Sequence, residues 1–340
     1  MKNIFSILFI IICIACNNHS SEKKETTVYK TIGTIERVDP SLDNIISPNA
    51  KAEVIADGFD WSEGPLWIES QKMLLFSDIP PNTIYKWTEE KGKEIYLTPS
   101  GYTDSIKRGG EIGSNGLILD INGNLVMCQH GDRRMARMDA PLDKPAPNFI
   151  TLADKYNGKK LNSPNDAVYN SAGELFFTDP PYGLEMQNDQ DPKKEIPFNG
   201  VYKVKPNGEI ILLIDSITRP NGLAFFPGEK RLLIACSDPD KPFWYVYDVA
   251  GDSLINGKIF YNAAEEAKTM KKGLPDGFKI DKNGNVFATG PGGVYIFNSD
   301  GKKLGMIKLD EATSNCALSP DEKILYVTND MNVLRIKLRE

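Results

Sequence analysis

Short apolar runs recur along this chain, and each one follows a polar residue at a similar distance. The runs occupy residues 73–78, 124–128, 174–179, 231–236, 285–290 and 323–328. The polar residues that begin the repeating units are Glu63, Asn115, Asn165, Asn221, Asp276 and Asn315, spaced 39 to 56 residues apart. A repeat of about 40–50 residues made of short strands is typical of a β-propeller. The pattern therefore predicts an all-β fold, a six-bladed β-propeller.

In such a fold the six polar residues are expected to lie in the same part of the molecule. Propeller blades surround a central channel, so residues at equivalent repeat positions face the same axis. The ring then holds two carboxylates, Glu63 and Asp276, together with four amides. Oxygen ligands select calcium or magnesium over softer metals, and calcium accepts amide ligands and irregular geometry more readily. The ring predicts a calcium site, although polar residues also begin strands and cap turns for purely structural reasons.

Turn signals extend the prediction to the rest of the chain. Pairs such as Asn122-Gly123 and Asn283-Gly284 mark hairpins between apolar runs. Residues 51–58 have strand character before the first repeat, and we expect them to pair with the last blade and close the ring. Residues 263–272 suggest one or two helical turns within a loop. Residues 32–340 are thus predicted to form one propeller domain.

The composition and the absence of several motifs exclude some kinds of partner and active site. The formal net charge is −6 with no evident basic face, which argues against a nucleic-acid partner. His130 is the one histidine within the predicted propeller, so an H-E-x-x-H zinc site is excluded. The sequence has no G-x-S-x-G elbow, P-loop or dinucleotide fingerprint. Cys128, Cys236 and Cys316 lack metal or disulfide spacing, and we expect them to be buried free thiols.

The N-terminus has the pattern of an export signal. Lys2 precedes an apolar run over residues 4–14, which is short for a membrane span and typical of a signal-peptide core. The run ends at Ala15-Cys16 and resembles a bacterial lipobox, with Cys13 where leucine is usual. We expect a signal peptide over 1–15, lipidation at Cys16 and a flexible tether over 16–31. A plain cleaved signal peptide is the alternative. The prediction is an exported protein, periplasmic or at the cell surface, whose contact with the membrane is its lipid anchor.

Several longer segments carry a family signature. Residues 152–168 and 177–183 form the most extended match, and shorter matches lie at residues 58–67, 219–225, 274–280 and 288–294. These segments resemble bacterial gluconolactonases of the senescence-marker protein/gluconolactonase/luciferin-regenerating-enzyme superfamily, over about residues 32 to 335. The resemblance implies a six-bladed, calcium-dependent propeller that hydrolyses a sugar-acid lactone such as gluconolactone. Its small-molecule substrate would then be the lactone.

The resemblance also implies roles for individual residues. The metal ligands of the family correspond to Glu63, Asn165, Asn221 and Asp276. Squid-type diisopropyl fluorophosphatase has the same Glu/Asn/Asn/Asp set, so these ligands indicate the metal and leave the substrate open. Another calcium-dependent hydrolase, acting on a different lactone, an ester or an organophosphate, is therefore an alternative. A non-catalytic propeller that binds sugar or protein, with a structural calcium, is the alternative from another class.

Candidate residues for the chemistry surround the ring. We expect Asp276 to be the general base or to orient the attacking water. The predicted substrate contacts are Asn115, His130, Asn165 and Tyr182. A structural hydrogen bond is the alternative for His130, and a turn-stabilising role is the alternative for Tyr182 and for the nearby Asp179. Contact with substrate or with channel water is expected for Asn315.

Overall fold

The computed structural model describes residues 28–270 and 272–339, so the predicted signal peptide and Cys16 lie outside the described residues. Three strands precede the first blade: β1 (Thr31–Ile32), β2 (Thr34–Arg37) and β3 (Ala52–Asp57). Blade one comprises β4 (Ser62–Ile68), β5 (Met73–Asp78), β6 (Thr83–Thr88) and β7 (Gly92–Leu97). Blade two comprises β8 (Ser114–Leu119), β9 (Leu125–Gln129), β10 (Arg134–Met138) and β11 (Phe149–Ala153).

A small hairpin and two further blades follow. The hairpin is formed by β12 (Lys155–Tyr156) and β13 (Lys159–Lys160). Blade three comprises β14 (Ala167–Tyr169), β15 (Leu175–Asp179), β16 (Gly200–Val204) and β17 (Ile210–Ile214). Blade four comprises β18 (Pro220–Phe225), β19 (Arg231–Asp238), β20 (Lys241–Ala250) and β21 (Ser253–Asn262).

One short helix separates the fourth blade from the last two. Helix α1 (Ala264–Thr269) lies within the segment for which a helix was predicted. Blade five comprises β22 (Phe278–Ile280), β23 (Val286–Gly290), β24 (Gly293–Phe297) and β25 (Lys303–Lys308). Blade six begins with β26 (Asn315–Leu318), β27 (Ile324–Asn329) and β28 (Asn332–Lys337). Within each blade neighbouring strands are antiparallel and follow chain order, which confirms the six-bladed propeller.

The ring is closed by the N-terminal strands. Strand β3 pairs with β28, with Ala52 opposite Ile336 and Asp57 opposite Asn332. The predicted pairing of residues 51–58 with the last blade is therefore confirmed. Strand β1 then adds to β3, and β2 adds to β25 of blade five, so one segment joins the outer edges of two blades. This arrangement leaves neither blade five nor blade six without an outer strand.

Apolar side chains fill the space between neighbouring blades. Strand β20 alternates, burying Trp244 and Val246 while Tyr245 and Tyr247 are less buried, as expected for a half-buried strand. The indole of Trp244 packs against Tyr295 and Phe297 of blade five, with both ring centroids 5.6 Å away. Comparable clusters join each adjacent pair of blades in the described residues. Burial of these apolar surfaces holds the blades in register around the axis.

A further expectation concerns the cysteines. Cys128, Cys236 and Cys316 are buried free thiols, as predicted. Among the described residues, no helix has the length and apolar character needed to cross a bilayer.

Candidate functional site

The repeat-equivalent polar residues lie where the inner strands begin. Glu63, Asn115, Asn221 and Asn315 occupy the first or second position of β4, β8, β18 and β26. Asn165 and Asp276 lie two residues before β14 and β22. A cavity of about 780 Å³ opens at this end of the channel, and its lining includes each of the six except Asn315. The periodicity of the sequence therefore locates the floor of one cavity.

The glycine after several of these residues allows the inner strands to approach one another. A Cβ atom on Gly116 would lie 2.8 Å from the carbonyl oxygen of Asn165, and one on Gly222 would lie 2.5 Å from that of Asp276. The backbone N–H of Gly116 donates to the Asn165 carbonyl at 2.8 Å. The Asn-Gly pairs of the ring thus belong to strands that converge on the axis, and they are not turns.

Four side-chain oxygens of the ring have no hydrogen-bond partner among the described residues. They are Oδ1 of Asn115, Asn165, Asn221 and Asp276. In Asn221 the nitrogen end of the amide is already paired within the protein. Its Nδ2 donates to Ser237 Oγ at 2.7 Å, and Ser237 Oγ in turn donates to the Pro275 carbonyl. An unpaired buried acceptor costs about 1–3 kcal/mol. Four such oxygens in one cavity indicate a site that is completed by a positively charged or proton-donating ligand.

Asn315 differs from the other amides because its polar atoms are used within the protein. Its Nδ2 lies 3.2 Å from Glu63 Oε2 and 3.4 Å from Asp166 Oδ2. Its Oδ1 accepts from the Cys316 N–H at 2.8 Å and from Lys279 Nζ at 3.3 Å. Asn315 therefore supports the carboxylates from below the cavity, and the expected contact with substrate or channel water has no free atom to make it.

Three carboxyl groups lie around this point of the channel: Glu63 and Asp166 are buried, and Asp276 is half-buried. Burial, followed by the negative charge of Asp166, raises the pKa of Glu63 to about 8. Burial, followed by the charge of Glu63, raises the pKa of Asp276 well above its usual range. The pKa of Asp166 is also raised by burial, and the nearby Lys279 opposes that rise. A positive charge between Glu63 and Asp276 would oppose both pKa shifts and favour the ionised form of both carboxyl groups.

The donor set of the cavity fits a hard divalent cation. Glu63 and Asp276 supply two negative charges, and Asn165 and Asn221 supply free amide oxygens. Glu63 uses Oε2 for its hydrogen bonds to Gly64 and Asn315. No three Asp, Glu, His or Cys side chains form a metal-binding group within the described residues, because this ring consists mostly of amides. Oxygen-only sites with amide ligands suit calcium.

Aspartates at the ends of second strands hold the segments that lead into the ring. Asp179 Oδ2 accepts from the Asn162 N–H at 2.8 Å, and Oδ1 accepts from the Ser163 N–H at 2.7 Å. Asp78 binds the N–H groups of Asp60 and Trp61 in the same way in blade one. Asp179 is fully buried and outside the cavity lining. It therefore has the turn-stabilising role that was left open.

Of the other two predicted substrate contacts, Tyr182 lines the cavity and His130 does not. Tyr182 lines the cavity, and its hydroxyl lies 3.4 Å from the Ser237 carbonyl. His130 is fully buried and is not part of the cavity lining. Its Nδ1 lies 3.6 Å from a carboxylate oxygen of Glu111, which does line the cavity. A role for His130 at the cavity would thus pass through Glu111.

The cavity has both polar and apolar walls. Glu111, Ser237 and Asp240 contribute polar groups above the ring. Apolar surface comes from Trp61, Ala264, Ala267, Met270, Leu274 and Ala312, several of them in α1 and the loop that follows it. A ligand of this cavity would therefore meet hydrogen-bonding groups and hydrocarbon surface together.

Several of these residues carry no repeated signal in the sequence. Glu111 lies in a loop, and Asp166 and Lys279 follow ring residues at positions where the other repeats have different, uncharged residues, so periodicity did not identify them. Asp78 and Asp179, which hold the segments that lead into the ring, do belong to a repeated pattern. Ser77-Asp78, Thr178-Asp179 and Ser237-Asp238 end equivalent apolar runs. That recurrence was a usable signal for residues that position the ring.

Known proteins resemble this chain over most of its length. Residues 61–330 match a family model described as SMP-30/Gluconolactonase/LRE-like region. A gluconolactonase from Zymomonas mobilis is 38% identical over 315 residues, which cover 91% of this chain and 87% of the relative. A pentonolactonase from Haloferax volcanii is 23% identical over 78% of this chain and 80% of its own length. The solved structure of a gluconolactonase from Xanthomonas campestris superposes with a TM-score of 0.78 at 28% identity, covering 92% of this chain and 97% of that one.

Proposed function

Because the chain belongs to the SMP-30/gluconolactonase/LRE-like family, we propose that it hydrolyses the ester bond of a sugar-acid lactone such as gluconolactone. One observation of the structure carries the proposal: Glu63 and four unpaired side-chain oxygens converge on the floor of a single cavity. The volume of that cavity, about 780 Å³, lies within the range of small-molecule sites.

In the proposed site, Glu63, Asn165, Asn221 and Asp276 hold a calcium ion. A bound divalent cation would polarise the lactone carbonyl and stabilise the negative charge that develops on its oxygen. Asn115 adds a free oxygen at the same level, outside the proposed ligand set. Asn115 and Tyr182 are then available to orient the substrate within the cavity.

Asp276 is the proposed general base or water-orienting group. It accepts a proton from the attacking water while the water oxygen bonds to the carbonyl carbon. The bond from that carbon to the ring oxygen then breaks, and the proton passes to the ring oxygen, which becomes the hydroxyl of the open-chain acid. Burial and the neighbouring carboxylates raise the pKa of Asp276 in the metal-free chain, which favours a proton on this group.

A panel of lactones, with and without a chelator, tests the proposal. We expect calcium-dependent hydrolysis of δ-gluconolactone after subtraction of its spontaneous hydrolysis, and loss of that rate in chelator. Preference for a simple ester or an organophosphate in the same panel would favour the alternative hydrolases. Calcium binding without a rate on any of these substrates would instead support a sugar- or protein-binding propeller.

The raised pKa of Glu63 predicts how pH affects the metal-free protein. Its pKa is about 8 in the folded chain and 4.5 as an ordinary carboxyl group. The folded state therefore binds more protons between these values, and the free energy of unfolding should fall as pH rises from about 5 to 8. We expect a loss of a few kcal/mol by denaturant unfolding in chelator.

The matched variant for that experiment is Glu63→Gln, which cannot ionise at this position and should make the pH dependence shallower. A slope should remain, because burial also raises the pKa of Asp179 to about 7. Added calcium should stabilise the wild type more at pH 8 than at pH 5, because it offsets the carboxylate charges. A metal-free wild type whose stability rises across this window would contradict the electrostatic account.

We further propose that the protein is exported and lipidated at Cys16, a residue outside the described part of the chain. The support is the apolar run that ends in Ala15-Cys16. Cys16→Ser should release the protein from the membrane fraction and leave the melting temperature of the propeller unchanged. Detection of an unmodified, soluble mature form of the wild type by mass spectrometry would contradict lipidation.

A further inference from the structure

A carboxylate on the cavity wall lies outside both the ring and the family-derived ligand set. Glu111 occupies the loop before β8, and its side chain is 25% exposed. In the described chain, no hydrogen-bond donor reaches its carboxylate, and the nearest basic group is His130, whose Nδ1 lies 3.6 Å away. A carboxylate only accepts hydrogen bonds, through two oxygens. Glu111 therefore presents unused acceptor capacity to whatever fills the cavity.

The backbone on either side of Glu111 is fixed. On one side Arg108 donates to the Gly183 carbonyl at 2.9 Å and stacks over Tyr102 at 5.1 Å. On the other side the Gly113 N–H donates to the Ile79 carbonyl at 2.9 Å, and its own carbonyl accepts from the His130 N–H at 3.2 Å. The loop is thus attached to three neighbouring segments. Because these contacts already hold the loop, a ligand that binds at Glu111 does not have to order the loop backbone.

The charge balance of the cavity argues against Glu111 as another metal ligand. Glu63 and Asp276 already match the two charges of a divalent cation, and the charge of Asp166 is opposed by Lys279. The negative charge of Glu111 acts on Asp276 after those of Glu63 and Asp166. Glu111 is thus within electrostatic reach of the ring but is an extra negative charge for a metal site. Its free oxygens suit a neutral ligand that donates hydrogen bonds.

From this arrangement we propose that Glu111 is a specificity-determining residue that accepts hydrogen bonds from the hydroxyl groups of the substrate. The inference rests on the proposed hydrolysis of a sugar-acid lactone and adds a residue that selects for the hydroxyl groups of that substrate. Hydrogen bonds from hydroxyls to a carboxylate are about twice as strong as neutral ones. A site built to pair with substrate hydroxyls discriminates strongly against analogues that lack them. Trp61, Met270 and Leu274 offer apolar surface for the C–H groups of the same ring.

Binding of non-hydrolysable lactams separates this role from catalysis. D-Glucono-δ-lactam carries the hydroxyls of the sugar lactone, whereas δ-valerolactam has the same ring without them. By calorimetry on calcium-loaded protein, Glu111→Gln should weaken binding of the gluconolactam by about 10- to 100-fold, the range for a hydrogen bond to a charged group. Its affinity for valerolactam should change by less than about twofold. The control is Glu185→Gln, an exposed glutamate close to Gly110 and outside the cavity lining, which should alter neither affinity.

Rates on the two corresponding lactones complete the test. Glu111→Gln should lower kcat/KM for δ-gluconolactone and leave that for δ-valerolactone unchanged. An equal loss on both lactones would make Glu111 a general base or a structural residue and would overturn the inference, as would unchanged gluconolactam binding or a wild type that does not bind it. A wild type that binds gluconolactam, loses that binding in Glu111→Gln and hydrolyses no lactone would refute the proposed function while supporting the role of Glu111.

Discussion

Asp276→Asn is expected to lower the rate of lactone hydrolysis by about 10²–10⁴-fold, the usual contribution of a general base. The substitution is isosteric and keeps an oxygen for the metal, but the amide cannot accept the proton of the attacking water. Asp276 is the one aspartate of the repeat-equivalent ring, and its Oδ1 has no partner within the described residues. The rate is measured on δ-gluconolactone at saturating calcium, with spontaneous hydrolysis subtracted.

Two controls separate lost chemistry from lost metal or fold. Calorimetry must show that the variant is calcium-saturated in the assay, because Asn removes one of the two ring charges. Asp240→Asn makes the same substitution at another aspartate of the cavity lining and should retain most of the rate. A calcium-loaded Asp276→Asn enzyme with full rate would exclude Asp276 as the base. Melting temperatures close to that of the wild type would show that both variants are folded in the assay.

Sequence periodicity predicted the backbone of the site because each blade repeats the same inner strand. Glu63 and Asn221 lie in different blades, yet both begin an inner strand and face one cavity. The same logic predicted closure by residues 51–58, since a ring of sheets leaves one edge to be paired. Features that follow from repetition could thus be predicted from one sequence.

Side-chain direction and loop position could not be predicted in this way. Asn315 occupies an equivalent backbone position, but its side-chain amide donates hydrogen bonds to Glu63 and Asp166, and Asn315 is not part of the cavity lining. The role of Gly222 is likewise visible only in the fold, where its close approach to the Asp276 carbonyl leaves no room for a Cβ atom. Glu111 lies before β8 and His130 follows β9, and it is the fold that brings their side chains to 3.6 Å from each other. Such contacts depend on tertiary packing that no period in the sequence encodes.

Glu63→Ala is expected to weaken calcium binding by about 100-fold or more, because it deletes one of two charged ligands from a site otherwise built of amides. It leaves Asp276 as the single carboxylate for a divalent ion. Asn165→Ala and Asn221→Ala each delete one neutral ligand and should cost about tenfold. Isothermal titration calorimetry with chelator-stripped protein measures all three affinities on one scale.

Glu63→Gln distinguishes the charge from the hydrogen bonds that the side chain also makes. Glu63 Oε2 accepts from Asn315 and from the Gly64 N–H, and the carbonyl oxygen of glutamine can accept both bonds in its place. If charge dominates, Glu63→Gln should approach the loss seen in Glu63→Ala while keeping a higher melting temperature in chelator. The melting temperature should be higher than that of Glu63→Ala because glutamine fills the same space and keeps a carbonyl oxygen as a hydrogen-bond acceptor, whereas alanine does neither. Unaltered calcium affinity in either variant would refute the ring as the metal site, and the remaining unpaired oxygens would then have to be explained by the substrate alone.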